Sequence, residues 1–236
     1  VLVKDEDRII IALDVDSPDE SLGLVQQLRG RVGLFKVGSQ LFTSAGPPVV
    51  AAIQRMGERV FLDLKFHDIP NTAAKAALAA RAMGVSMITV HAGGGSAMLS
   101  AVMGALKSAP VEPKRPLVLA VTLLTSLASS DLARLGVAGS PADQVLRLAG
   151  TALEAGVDGL VASPAEVAGL RRHFGSAPLL VTPGIRPAGT ALNDQARAAT
   201  PQEALKAGSD FLVIGRPVTA APDPLRSLNR IMDTIR

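Results

Sequence analysis

Asp63, Lys65 and Asp68 stand close together in the stretch Phe61-Leu62-Asp63-Leu64-Lys65-Phe66-His67-Asp68-Ile69-Pro70-Asn71-Thr72. The stretch begins as an apolar strand and ends as the start of a helix. Alternate side chains of a strand face the same way, so Asp63 and Lys65 share one face while Leu62 and Leu64 share the other. A carboxylate and an ammonium at the end of a buried strand cost desolvation free energy unless they are paired or used. The two are either a structural ion pair or part of a reacting centre, and the rest of the chain must decide.

The same pattern recurs. Asp14 closes one apolar run, Lys36 sits inside another, and His91, Thr122, Thr125, Arg186 and Arg216 each follow one. Thr182-Pro183-Gly184-Ile185-Arg186 and Ile214-Gly215-Arg216-Pro217 each place glycine near arginine. Glycine permits close backbone approach, and the guanidinium fork matches phosphate oxygens. These segments are a candidate phosphate site; the plain alternative is turn glycines with solvated arginines. His91 is equally well explained by packing and hydrogen bonding. His67 is expected to face away from Lys65 and Asp68. Gly93-Gly94-Gly95 is not followed by the Gly-Lys-Ser/Thr of a P-loop. No histidine and carboxylate cluster has metal-ligand spacing, although Asp63 and Asp68 could share a magnesium ion.

These residues need elements to position them. Strand-like runs at 9–13, 34–37, 60–65, 87–90, 117–121, 159–162, 179–181 and 211–214 alternate with helical patterns. The helices are expected at 18–28, 47–55, 72–83, up to 107, and at 141–155, 164–174, 201–207 and 222–235. Strand–helix alternation with short links and no break in composition predicts one (β/α)₈ TIM barrel, a single domain over 1–236. An open doubly wound sheet is the alternative, but the first link, Asp14-Val15-Asp16-Ser17-Pro18, lacks a G-x-G-x-x-G fingerprint. In a barrel, chemistry sits at the C-terminal strand ends, and the loops after strands seven and eight commonly hold phosphate. The irregular segment 187–199 reads as a lid, with Gln195 as a polar contact from it.

Composition narrows the classes. Hydrophobic residues make up 48% of the 236, enough for a large core. The absence of cysteine rules out disulfides and thiolate metal sites, and fits a reducing cytoplasm as the expected location. The first residues are charged where a signal peptide would be apolar, and no apolar run approaches a membrane span. Basic residues are scattered and Trp and Tyr are absent, which argues against a nucleic-acid partner. Arginine outnumbers lysine, so lysines at 36 and 65 inside apolar segments stand out.

Asp63-Leu64-Lys65-Phe66-His67-Asp68-Ile69-Pro70-Asn71-Thr72 resembles the signature of the orotidine 5′-phosphate decarboxylase family. Ala12-Leu13-Asp14, Lys36-Val37-Gly38, Val121 to Ser126, Pro183 to Pro187, Asp194-Gln195 and Ile214 to Pro217 resemble its other segments in order, over essentially the whole chain. The likeness is to the compact bacterial form. Ala196 departs from the basic residue common there. The resemblance implies conversion of orotidine 5′-phosphate to uridine 5′-phosphate and carbon dioxide, the last step of de novo pyrimidine synthesis, without cofactor or metal. It implies Lys65 as proton donor within a charged array of Lys36, Asp63, Lys65 and Asp68. Asp14 and Lys36 would hold ribose hydroxyls. Asp68 and Thr72 would reach the neighbouring site of a homodimer. Thr125 would lie at the pyrimidine edge and Gln195 would bridge base and phosphate. Arg186, Gly215 and Arg216 would hold the phosphate.

Two rivals remain at this stage. One is a magnesium-dependent sugar-phosphate decarboxylase or isomerase on the same barrel, using the same Asp63, Lys65 and Asp68. The other is a non-catalytic protein that binds nucleotide phosphates.

Overall fold

Eight apolar segments form parallel strands that pair in sequence order and close on themselves. They are β1 (Ile9–Ala12), β2 (Leu34–Gly38), β3 (Val60–Phe66), β4 (Met87–His91), β5 (Leu117–Val121), β6 (Gly159–Val161), β7 (Leu179–Thr182) and β8 (Phe211–Ile214). This architecture, a (β/α)₈ barrel, is seen in a computed structural model that describes residues 5–187 and 199–235. The helices are α1 (Pro18–Leu28), α2 (Ser39–Ala45), α3 (Pro47–Arg55), α4 (Pro70–Ala82), α5 (Gly95–Ser108), α6 (Ser129–Arg134), α7 (Pro141–Glu154), α8 (Pro164–Phe174), α9 (Pro201–Ala207), α10 (Arg216–Thr219) and α11 (Pro224–Ile235). Among the described residues no helix is long and apolar enough to cross a membrane.

Local chemistry explains where the helices begin. Proline opens α1, α3, α4, α7, α8 and α9, where its fixed φ suits the first turn and its missing N–H costs nothing. Ser17 accepts from the Glu20 amide at 3.1 Å, and reciprocal caps join Ser140 to Asp143 and Thr200 to Glu203. Three elements carry no signal in the sequence: α2, α6 and α10 are short and begin without a side-chain N-cap, whereas the equally short α9 is marked by Thr200 and Pro201. β3 also runs one residue further than expected, α4 starts at Pro70 rather than 72, and α11 starts at Pro224 rather than 222.

Strand alternation sorts the side chains into two layers. Ile9, Ile11, Phe35, Val37, Val60, Leu62, Ile88 and Val90 point outward into the core beneath the helices. Ile10, Ala12, Leu34, Phe61, Met87, Leu119, Val181 and Val213 fill the barrel interior. Two residues beyond Leu34, Phe61 and Met87 on the same strands, the inward positions are Lys36, Asp63 and Thr89. The charged residues thus sit directly on the apolar plug, where water is scarce.

The opposite end of the barrel is tied by other ion pairs. Asp158, just before β6, takes both Arg115 nitrogens at 2.7 Å and the Val118 amide at 2.7 Å. Asp210, just before β8, takes Arg171 at 2.6 Å and the Leu180 amide at 2.7 Å. Each carboxylate caps a strand start and clamps its neighbour, so structural charge and mouth charge are kept apart.

Candidate active site

The C-terminal mouth holds a cavity of about 430 Å³. Its polar wall includes Asp14, Lys36, Asp63, Lys65, Thr125, Arg186 and Arg216, and its apolar part includes Val121, Val161, Val181 and Val213. The strands therefore divide the work: β2 and β3 present charge, while β5 to β8 present valines that suit a flat, weakly polar ring.

The charges alternate along a line. Lys36 Nζ donates to Asp14 Oδ1 at 2.9 Å and lies 3.6 Å from Asp63 Oδ2. Lys65 Nζ is 3.0 Å from both Asp63 oxygens. Asp63 and Lys36 are each 8% exposed as residues, whereas the Lys65 side chain is 37% exposed. The two ends of the row, Asp14 and Lys65, thus keep a face turned to the cavity, while Lys36 and Asp63 between them are buried. Burial pushes the Asp63 carboxyl up. The charges of Lys36 and Lys65 and hydrogen bonds from Lys65 and Thr89 outweigh that, so its pKa ends below the usual 3.8.

That shift has a consequence for stability. A native pKa below the unfolded one adds stability that is fully present above 3.8 and is lost as pH falls through the lower native value. The urea midpoint of the parent is therefore expected to fall more steeply below pH 3.8 than that of Asp63→Asn. Parallel midpoints across that range would show that Asp63 is not depressed.

β3 is not a regular strand where it carries Lys65. Lys65 has φ +50°, in the left-handed region, which costs a non-glycine residue about 1–3 kcal/mol unless its surroundings hold it. Leu62 pairs with Ile88 but Phe66 pairs with Val90, so residues 63 to 65 of β3 stand opposite Thr89 alone. Asp63 and Lys65 do end on one side, as strand alternation implies, but through a bulge and not through regular alternation.

Asp68 and Thr72 are not in the main cavity. They line a separate hollow of about 300 Å³ with Phe66, His67 and Ala76, and Lys65 borders both spaces. Asp68 is exposed and caps the Ile69 amide at 2.6 Å. His67 lines that hollow too, and stacks on His91 with ring centroids 4.9 Å apart and planes at 13°. His91 accepts from the Gly93 amide at 3.1 Å, and its pKa is lowered by burial and by the charges of His67 and Lys65. Thr122 is spent on the Val161 carbonyl at 3.2 Å, while Thr125 borders the cavity.

Arg186 and Arg216 line the mouth from the segments after β7 and β8. β7 lies diametrically across the ring from β3. Arg186 is 8% exposed, and its pKa is lowered by burial and by the charge of Arg216. Two guanidiniums near enough to disfavour one another make a strong anion seat. Gly184 adopts φ +78°, a turn that suits glycine, and Gly215 borders the cavity just before α10. The Arg186 amide donates to Ala199 O at 2.9 Å, so the ends of segment 187–199 meet at the mouth. Asp194, Gln195 and Ala196 lie outside the described residues.

Sequence reasoning missed three contributors. Thr89, buried in an apolar strand, bonds Asp63 and the Lys65 amide. At Gly38 a Cβ would stand 3.0 Å from Asp14 Oδ1 and from Lys36 Nζ, so its hydrogen leaves room for that pair. Gln40 borders the cavity and is held by Asp16 at 2.7 Å. Gly38 lies within the quoted Lys36-Val37-Gly38 segment but was given no role; Thr89 and Gln40 belong to no spacing pattern.

Comparison with known proteins speaks to this arrangement. A family model described as the orotidine 5′-phosphate decarboxylase / HUMPS family matches residues 7–231. The chain belongs to this family. Relatives named orotidine 5′-phosphate decarboxylase include one from Nitrosococcus oceani, 50% identical over 96% of this chain and 97% of its own length. Another, from Salmonella typhi, is 47% identical over 98% of this chain and 94% of its own. A crystal structure of orotidine 5′-phosphate decarboxylase from Lactobacillus acidophilus superposes with a TM-score of 0.84 at 39% identity, covering 97% of this chain and 98% of the other. Family membership thus covers the barrel as a whole, including every strand that carries a cavity residue.

Proposed function

We propose that this chain decarboxylates orotidine 5′-phosphate to uridine 5′-phosphate and carbon dioxide, completing de novo pyrimidine synthesis, with Lys65 as proton donor and no cofactor. The observation that carries the reading is the row Asp14, Lys36, Asp63, Lys65, whose last member faces the cavity. Breaking the bond from carbon 6 to the carboxylate leaves its electron pair in an sp² orbital outside the π-system. A fixed cation next to carbon 6 stabilises that charge. Lys65, an ammonium held by Asp63, then gives a proton to carbon 6 and recovers one from water. Asp14 and Lys36 bind ribose hydroxyls, Thr125 meets the pyrimidine edge, and Gln195 bridges base and phosphate. Arg186, Arg216 and the Gly215 backbone take the phosphate. The cysteine-free chain suits a reducing cytoplasm as the place of this work.

The deciding assay follows the loss of orotidine 5′-phosphate absorbance with purified protein, with and without excess chelator. Turnover unaffected by chelator supports the reading. Turnover abolished by chelator favours a magnesium-dependent relative, and none in either arm favours a binding protein.

The position of Asp68 and Thr72 outside the main cavity supports a homodimer in which both reach the neighbouring site. Asp68→Ala is then expected to lose at least about tenfold in turnover, by removal of a charge beside Lys65. Mixing refolded Asp68→Ala and Lys65→Ala chains restores about one quarter of parental activity, because each mixed dimer has one intact site. No recovery on mixing would place Asp68 in its own chain's site or outside any.

A further inference from the structure

We infer that Thr89 is a positioning residue for the reaction: its one hydroxyl sets both the Lys65 backbone and the Asp63 carboxylate. This rests on the function proposed above. The geometry leaves little choice. The Lys65 N–H donates to Thr89 Oγ1 at 2.8 Å, and Thr89 Oγ1 lies 2.9 Å from Asp63 Oδ1. An amide can only donate and an ionised carboxylate can only accept, so the hydroxyl proton points at Asp63. Thr89 is fully buried, so water does not substitute for it.

The position of this bond within the sheet gives it its effect. Residues 63 to 65 bulge opposite Thr89, and Lys65 there takes φ +50°. The hydroxyl stands in for the strand acceptor that the bulge removes. It therefore holds the unusual backbone that aims Lys65, and also orients the carboxylate that grips the Lys65 ammonium. The groups around Asp63 are Lys36 from β2, with Asp14 behind it, Lys65 from β3, and Thr89 from β4. Lys65 also borders the hollow lined by His67 and Asp68, and His91, further along β4, stacks on His67.

The test compares Thr89→Val, which keeps shape and loses both bonds, with Thr89→Ser, which keeps both bonds and loses the methyl. Thr89→Val is expected to lower kcat about 10- to 100-fold while KM changes far less, since charged hydrogen bonds to reacting groups are of that weight. The acid limb of its kcat/KM profile is expected to move toward neutral pH, because Asp63 loses a bond that favours its ionised form. Thr89→Ser is expected to keep parental kcat and pH profile. A Thr89→Val enzyme with parental kcat and acid limb would overturn the inference. So would a Thr89→Ser enzyme that loses tenfold or more, and that arm stands even where the valine variant does not fold. If the parent itself shows no decarboxylation, the functional reading fails instead, which separates the two.

Discussion

Lys65→Ala is expected to lower kcat by at least about 10⁴-fold, the combined scale of a general acid and a fixed charge at the reacting carbon. The variant is expected to stay folded, since Asp63 keeps Lys36 at 3.6 Å and the Thr89 hydroxyl at 2.9 Å. It is also expected to bind uridine 5′-phosphate, because the arginine seat across the ring is untouched. Lys65→Arg is expected to be nearly as poor, since a guanidinium keeps its charge but seldom releases a proton. Single-turnover absorbance measurements with product-binding titrations check this. Near-normal turnover by Lys65→Ala would remove the lysine from the mechanism.

The second large effect lies at the other side of the cavity. Arg216→Ala is expected to lower kcat/KM about 10- to 100-fold, and the Arg186→Ala/Arg216→Ala double variant about 10³-fold, from lost charge-assisted bonds to phosphate. In the proposed reaction the phosphate is remote from carbon 6, so its binding free energy is expected to serve by holding the substrate for the transition state. Orotidine, which lacks the phosphate, gives the control. The double variant and the parent are expected to process it at the same low rate, and an equal loss on both substrates would show that the arginines act through the fold.

Much of the barrel was legible because its code is local. Eight apolar runs, each followed by a helical pattern, imply parallel strands whatever the packing between them. The caps at Ser17, Ser140 and Thr200 reflect the same locality. Segments of one turn or two, such as α2 and α10, carry too few residues to display a period. They form because the barrel rim holds them.

The candidate site divides along the same line. By itself the sequence determined the barrel, the charged residues at its strand ends and the family they resemble. The sequence also implied one face for Asp63 and Lys65, from the two-residue period of a regular strand, although in the fold a bulge at 63–65 brings them to that side. Tertiary structure alone decided the rest of the opening stretch. The left-handed turn at Lys65 depends on Thr89, 24 residues away, whose hydroxyl replaces a strand acceptor. The depressed Asp63 pKa depends on Lys36 from another strand. Asp68, close to Lys65 in sequence, borders a different hollow because the chain turns at the end of β3 to enter α4. Coulomb forces and hydrogen bonds act through space, over a few ångströms, and only the closed ring brings those partners within reach.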